Sequence, residues 1–519
     1  MQNMKKIFYI FLVLLVLSTS CSTNEKQQSI IDPDNIGTVT DIVNLSNYLP
    51  LYLRSLSAGS SIYYTEIAAD YFNPGLGYGN RGGMWYRWEW TSSSNIGIFA
   101  TCYSGIAQAN YVIDLADNYL TEADANGETV SDEDKQSLSD AKAISYFTKA
   151  FLGQKLLQYY CENYNSTNID RTAEGTGIMI VDHYVATSDQ SAYPGRSSLV
   201  DSYNWVFENL DAAKALLTET SVVGSTLPTK DVCDALKARM YLNMGMYTEA
   251  ATLAAALVDG GKYPLASTQA EFTSTFTNDS GMECIMQCFT EYNSSLPSSY
   301  SYGYVGYDYS NSIYSPDWIL SQWVLALYSG TDYRNGWFAN RTVTFTPNID
   351  NVVLLNKFPG NPALQPSNYT SPRSDYLHSP KPFRIAEQYL IAAEAYARSG
   401  ATTPANNYLQ ALKSKRDPSY TATTLTGDAL LQTIKEERAL ELIGEGFRFF
   451  DLKRYGEGMT RTGIQSPKVT NRQAGNINAE KMTVAANDYR WVQPIPQSEI
   501  DSNPQIRNQQ NRGYVSTEE

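Results

Sequence analysis

Two stretches of this chain concentrate the side chains that could hold a ligand. The first, Tyr71 to Trp90, places Trp85, Tyr86, Trp88 and Trp90 close to Arg81 and Arg87 among glycines. The second, Tyr292 to Tyr314, carries Tyr300, Tyr302, Tyr304, Tyr307 and Tyr309, and Trp318 follows it. Tyr and Trp combine a flat apolar face with a polar tip. Such faces stack on sugar rings, while Arg, Asn and Asp bind hydroxyls. The same surfaces can hold a peptide, with aromatic pockets for its side chains and arginine for its carboxylates. The competing role for each residue is burial against a scaffold, which weighs most for Trp88, Trp90 and Trp318. The closely spaced tyrosines are expected to be exposed.

Catalytic chemistry finds little support. The chain has no Gly-x-x-x-x-Gly-Lys-Ser/Thr loop, no Gly-x-Ser-x-Gly elbow and no His-Glu-x-x-His pair. Its two histidines, His183 and His378, leave little for a triad. Two carboxylates distant in the chain are a formal route to glycoside hydrolysis, with no motif behind them. Cys284 and Cys288 do not complete a four-ligand metal set. The expectation is a binding protein with no catalytic residues, metal or cofactor. Five cysteines, Cys102, Cys161, Cys233, Cys284 and Cys288, follow the N-terminal region, and they read as buried free thiols. A formal charge of −15 disfavours nucleic acid, which needs a positive surface. The 39 Tyr, 8 Trp and 17 Phe exceed what a polar surface requires and suit a face that must grip a ligand in water.

The N-terminus reads as a targeting segment. Lys5 and Lys6 precede an apolar run from Ile7 to Leu17, too short to span a bilayer comfortably. Leu17-Ser-Thr-Ser-Cys21 resembles a bacterial lipobox, with the Leu four residues before the Cys instead of three. That implies a signal peptide over 1–20 and acylation of Cys21, whose several acyl chains anchor stably. Residues 21–39 then form a lipidated tether.

The elements that must position the aromatic stretches are helices. Thr40–Leu56, Asn95–Leu120, Ala141–Tyr160, Leu199–Leu217 and Asp231–Leu242 carry helical apolar spacing, and Thr121–Ser139 is polar enough to be a loop. A repeat is present: Ala238, Tyr241, Gly245 and Ala250 recur at identical spacing as Ala393, Tyr396, Gly400 and Ala405. Small residues at a crossing and Gly ending the first helix are what antiparallel pairs need. The pattern resembles tetratricopeptide pairs, and about four are expected. Between the copies lies a Tyr-rich insertion over about 262–383, rich in loops and strands. Further on, Ile434 to Tyr455 reads as one helix docked deep in the protein, with Leu431, Ile434, Leu442, Phe449 and Leu452 on one stripe. Arg438, Glu441, Glu445, Arg448, Asp451 and Arg454 are spaced to pair locally at three residues.

That last segment also carries a family resemblance. Its Glu437, Arg438, Glu441, Glu445, Gly446, Arg448, Asp451 and Arg454 are similar to the C-terminal signature of SusD/RagB-type lipoproteins. Tyr103, Ile106, Ala109 and Asn110 fit another motif of that family. Trp491, Pro494, Ile495, Pro496 and Glu499, then Asn503-Pro504 and Gly513-Tyr514, fit its ending, an ordered strap over the body. The resemblance implies a mainly α, tetratricopeptide-like repeat scaffold over 40–519 with an irregular loop- and β-rich ligand face. It implies a ligand site built from the two aromatic stretches, on which Arg81, Trp85, Trp88, Tyr304, Tyr307 and Trp318 are nominated. It further implies a lipid-anchored outer-membrane protein, facing the exterior, that captures oligosaccharide for a SusC-like TonB-dependent transporter. Leu354–Phe358, Tyr408–Arg416 and Glu441–Gly446 look more like oligopeptide-binding RagB, the alternative, than like starch binders; a surface hydrolase is a third reading.

Overall fold

The computed structural model describes residues 37–514, except 77–80, 95, 219–221, 292–303, 309–310, 346, 365–375 and 471–482. Cys21, most of the tether, and Tyr300, Tyr302 and Tyr309 lie outside the described residues.

Eight helices form the scaffold among the described residues. They are α1 (Ile98–Ala125), α2 (Asp132–Tyr160), α3 (Leu199–Leu216), α4 (Lys230–Met244), α5 (Tyr247–Asp259), α6 (Ile385–Arg398), α7 (Thr402–Arg416) and α8 (Gly427–Glu441). Each packs against the next in chain order, so α5 and α6 meet across the whole insertion. The repeat explains the close approach. Ala238, Ala250 and Ala254 pack against Ile391, Ala392 and Ala395, all buried. The two copies end their first helix in the same way. Gly245 and Gly400 have φ of +75° and +80°, which only Gly adopts without strain. The next residues close the turn, with N–H of Met246 donating to Tyr241 O at 2.9 Å and N–H of Ala401 to Tyr396 O at 2.8 Å.

Three expected boundaries differ. The first helix is split into Val39–Ser46 and Leu49–Ser55, with Pro50 in the first turn of the second part. The polar stretch Thr121–Ser139 is largely helical, because α1 runs on to Ala125 and α2 starts at Asp132. Ser131 caps α2 by accepting from the Asp134 N–H, and Asp132, Glu133 and Asp134 favour a helix N-terminus. Their polarity signals a cap and an exposed first turn.

The third difference is larger. The stretch Ile434–Tyr455 spans two helices, α8 and α9 (Arg448–Tyr455), joined by an elbow. Gly444 and Gly446 lie at φ of +77° and +81°, which ends α8. The charges stay paired, but mostly with distant partners. Of the three local pairs only Arg454–Asp451 forms, at 3.1 Å. Arg438 pairs with Asp451 at 2.7 Å, Arg448 with Asp70 at 2.7 Å, and Arg454 also with Glu394 at 2.6 Å. Glu441 sits among Arg384, Arg416 and Arg334, at 2.7, 2.9 and 3.3 Å, and all four are buried. Glu441 meets α7 and the insertion from the end of α8, ahead of the elbow, while Arg448 and Arg454, beyond it, reach Asp70 and α6.

The C-terminal run lies over the body as a strap. Gln493 N–H donates to Tyr159 O at 2.8 Å, and Trp90 Nε1 donates to Tyr514 Oη at 2.8 Å. The five cysteines are buried and unbridged, and burial pushes each thiol up. No helix of the described residues is long and apolar enough to cross a membrane.

Candidate functional site

The two aromatic stretches, far apart in the chain, meet in space. Strand β1 (Phe72–Pro74) pairs antiparallel with β2 (Trp318–Leu320), in the register Phe72 to Leu320 and Pro74 to Trp318. Around this pairing the rings form a continuous cluster. Tyr304 stacks on Phe72 at 4.6 Å, and Trp318 Nε1 donates to Tyr63 Oη at 2.6 Å. Trp85 lies between Tyr64 and Trp90, at 5.2 and 5.0 Å. Trp88 contacts Trp90, Phe449 and Trp491 at 4.9, 5.5 and 4.6 Å, and donates to Ala68 O at 2.8 Å.

The backbone here is strained and held. Trp88 has φ of +55°, rare for a bulky residue. Such strain persists only where the surroundings over-determine it. Arg461 donates to the carbonyls of Ala69, Tyr86 and Ala68 at 2.8, 2.8 and 2.7 Å, and Arg490 to Trp88 O at 2.7 Å.

The burial of these rings corrects the expected stacking platform. Trp85, Trp88, Tyr304 and Trp318 are 4, 0, 6 and 1% exposed. Their faces are taken by neighbouring rings, so they brace the site from within. The hydrophobic gain of closing large aromatics on one another outweighs leaving them in water. Two nominated residues reach the surface. The Arg81 side chain is 55% exposed and pairs with buried Asp317 at 2.5 Å. Tyr307 is half-buried, its ring 4.8 Å from Tyr314.

Beside this cluster runs a groove of about 1100 Å³, bordered by Leu76 at the end of β1. One wall is the hairpin of β3 (Phe338–Val343) and β4 (Ile349–Leu355). Strand alternation assigns its faces. Val343, Val352 and Leu354 pack inward against Ile319, while Phe338, Asn340 and Val353 line the groove. Gln465 pins the wall by bonding Val353 N–H and O at 3.0 and 2.8 Å. Asn340, Asn348, Asn351 and Gln322 line the groove, exposed, and their amides make no hydrogen bond to the described residues. An amide offers donors and an acceptor together, which matches a hydroxyl that does both. Asp350 and Lys468 add one charge of each sign. Sequence reasoning followed the aromatics and missed these amides. The signal was the run of Asn335, Asn340, Asn348 and Asn351 within the insertion. Among the described residues no group of His, Cys, Asp and Glu is placed to hold a metal ion.

Comparison with known proteins bears on this geometry. The model of the SusD family matches residues 301–514, and that of the family described as starch-binding associating with outer membrane matches residues 52–242. The chain is 23% identical to SusD-like protein P2 of Formosa agariphila, over 87% of this chain and 91% of that one. A SusD superfamily protein from Bacteroides thetaiotaomicron has the same fold, with a TM-score of 0.73 at 24% identity, covering 91% of this chain and 99% of that one. So does a SusD-like carbohydrate binding protein from Bacteroides vulgatus, with a TM-score of 0.73 at 20% identity, covering 93% and 100%.

Proposed function

The chain belongs to the SusD/RagB family, and from that premise we propose that it captures oligosaccharide at the cell surface and passes it to a SusC-like TonB-dependent transporter. It is anchored in the outer membrane, facing the exterior, through acylated Cys21. The protein performs no chemistry on its ligand. The observation that carries the glycan reading is the row of unengaged amides along the groove, at Asn340, Asn348, Asn351 and Gln322. Arg81 and Tyr307, the two nominated residues that reach the surface, contact the ligand, while Trp85, Trp88, Tyr304 and Trp318 brace the aromatic cluster from within. The starch-binding description of one matching family and the carbohydrate-binding relative support the same ligand class. Binding in so open a groove is weak, about micromolar to millimolar, because few groups are fully desolvated.

Isothermal titration of the soluble protein against a panel of neutral oligosaccharides and a tryptic peptide mixture tests the reading. Heat from a glycan alone supports it. Heat from peptides alone replaces it with RagB-like peptide capture. Release of shortened products from either panel replaces it with hydrolysis.

A further inference from the structure

A second, smaller pocket opens apart from the groove. Its volume is about 70 Å³, and it is bounded by the start of the Ser60–Ala68 helix, by α2, by Lys357–Phe358, by the His378–Pro382 segment and by the Gly444–Phe447 elbow. Four cations line it: Lys155, Arg239, Lys357 and Lys381. Three have a carboxylate. Arg239 binds Glu387 through two bonds of 2.8 and 2.6 Å, Lys357 binds Glu445 at 2.6 Å, and Lys381 binds Asp279 at 2.6 Å. Lys155 has no ion pair or hydrogen bond to the described residues; its ammonium sits 5.4 Å from the Phe151 ring centroid. A second wall group is also unmatched. The hydroxyl of Tyr304 is buried and has no hydrogen-bond partner among the described residues.

Lys155 is half-buried, so its unpaired charge is partly solvated, whereas the fully buried Tyr304 hydroxyl without a partner is clearly unfavourable. Burial, reinforced by Arg239, lowers Lys155 only to about 8, so it remains mostly protonated at neutral pH. The Ser60–Ala68 helix begins at the cavity, at Gly59, with no side-chain cap, which adds the positive end of its dipole. We propose that this cavity binds a small monovalent carboxylate, held by the Lys155 ammonium and the Tyr304 hydroxyl. One negative charge fits because the other three cations are already matched and Glu445 stands in the wall. The volume admits a carboxyl group with a short stem. The carboxylate is either a free small acid or the acid group of a sugar. The proposal is independent of the glycan reading of the groove.

The test is thermal unfolding of the soluble protein at pH 7 and constant ionic strength, in chloride, acetate, glucuronate and sulfate. Acetate is expected to raise the midpoint by a few degrees over chloride, with sulfate giving less. Lys155→Met should fold, since it removes an uncompensated charge, and should lose the acetate response. A glucuronate response equal to that of acetate identifies a sugar-borne acid; acetate alone identifies a free one. Equal midpoints in acetate and chloride overturn the proposal, as does an undiminished response in Lys155→Met. Should that variant fail to fold, Tyr304→Phe supplies the readout, with a 3- to 10-fold weaker acetate response expected and an unchanged one counting against the site.

Discussion

Glu66 accepts the backbone N–H of Gly446 at 2.8 Å, tying the Ser60–Ala68 helix to the elbow between α8 and α9. It also accepts from Gly444 at 3.2 Å. One carboxylate thus satisfies two donors that the turn frees from helix bonding. It does so fully buried, next to Glu445, and without an ion pair among the described residues.

That burial sets a pH dependence. It raises Glu66 from 4.5 to about 7, with the glycine N–H groups opposing. A folded-state pKa above the unfolded one contributes stability that is full below pH 4.5 and is lost as pH rises to about 7. Glu66→Gln keeps an acceptor and removes the ionisation. Its denaturation free energy should lose the decline seen in wild type between pH 4.5 and 7, worth up to about 3 kcal/mol. Parallel declines in both proteins would rule this assignment out.

Glu441 has the opposite sign. Burial pushes its carboxyl up, but Arg416, Arg384 and Arg334 outweigh that and hold it well below the usual range. Its contribution is present above the ordinary carboxylate range and fades as pH falls below it. Glu441→Gln leaves three buried guanidiniums short of a charge and should destabilise by about 3–5 kcal/mol, measured by urea unfolding at pH 7.

Trp88 and Tyr307 should separate stability from binding. Trp88→Ala empties a packed aromatic position and should cost about 3–5 kcal/mol. Tyr307→Ala, half-buried, should cost about 1 kcal/mol or less while weakening glycan binding several-fold. Titration of both variants at a temperature where each is folded makes the comparison.

The groove amides give a direct binding test. Asn340→Ala and Asn351→Gly each remove one amide and should weaken glycan affinity about 5-fold, near 1 kcal/mol. Gly suits position 351 because Asn351 has φ of +62°. Unchanged affinity in the double variant would place the ligand elsewhere.

Gly400 isolates backbone strain. A Cβ there would meet no atom within 4 Å, so Gly400→Ala should cost about 1 kcal/mol through φ of +80° alone. Thermal unfolding reads it, and a neutral result would mean that the turn after α6 relaxes.

Sequence alone determined what depends on neighbours in the chain. Helical spacing found the scaffold, and the Ala, Tyr, Gly, Ala repeat located two helix pairs down to their matching caps, because these obey periods of a few residues. The motifs around Asn110, Arg438 and Trp491 pointed to the family for the same reason. Tertiary structure decided which partners the charges and rings take. Local spacing offered Arg438 to Glu441 and Glu445 to Arg448, yet Glu441 pairs with Arg384 and Arg416, and Arg448, beyond left-handed Gly444 and Gly446, pairs with Asp70. A tryptophan reads alike whether it faces solvent or core. Only the tertiary structure set Trp318 in the β1–β2 pairing, closed Trp88 against Phe449 and Trp491 and left the exposed lining to asparagines, because burial is settled by segments that meet in space and not by their own composition.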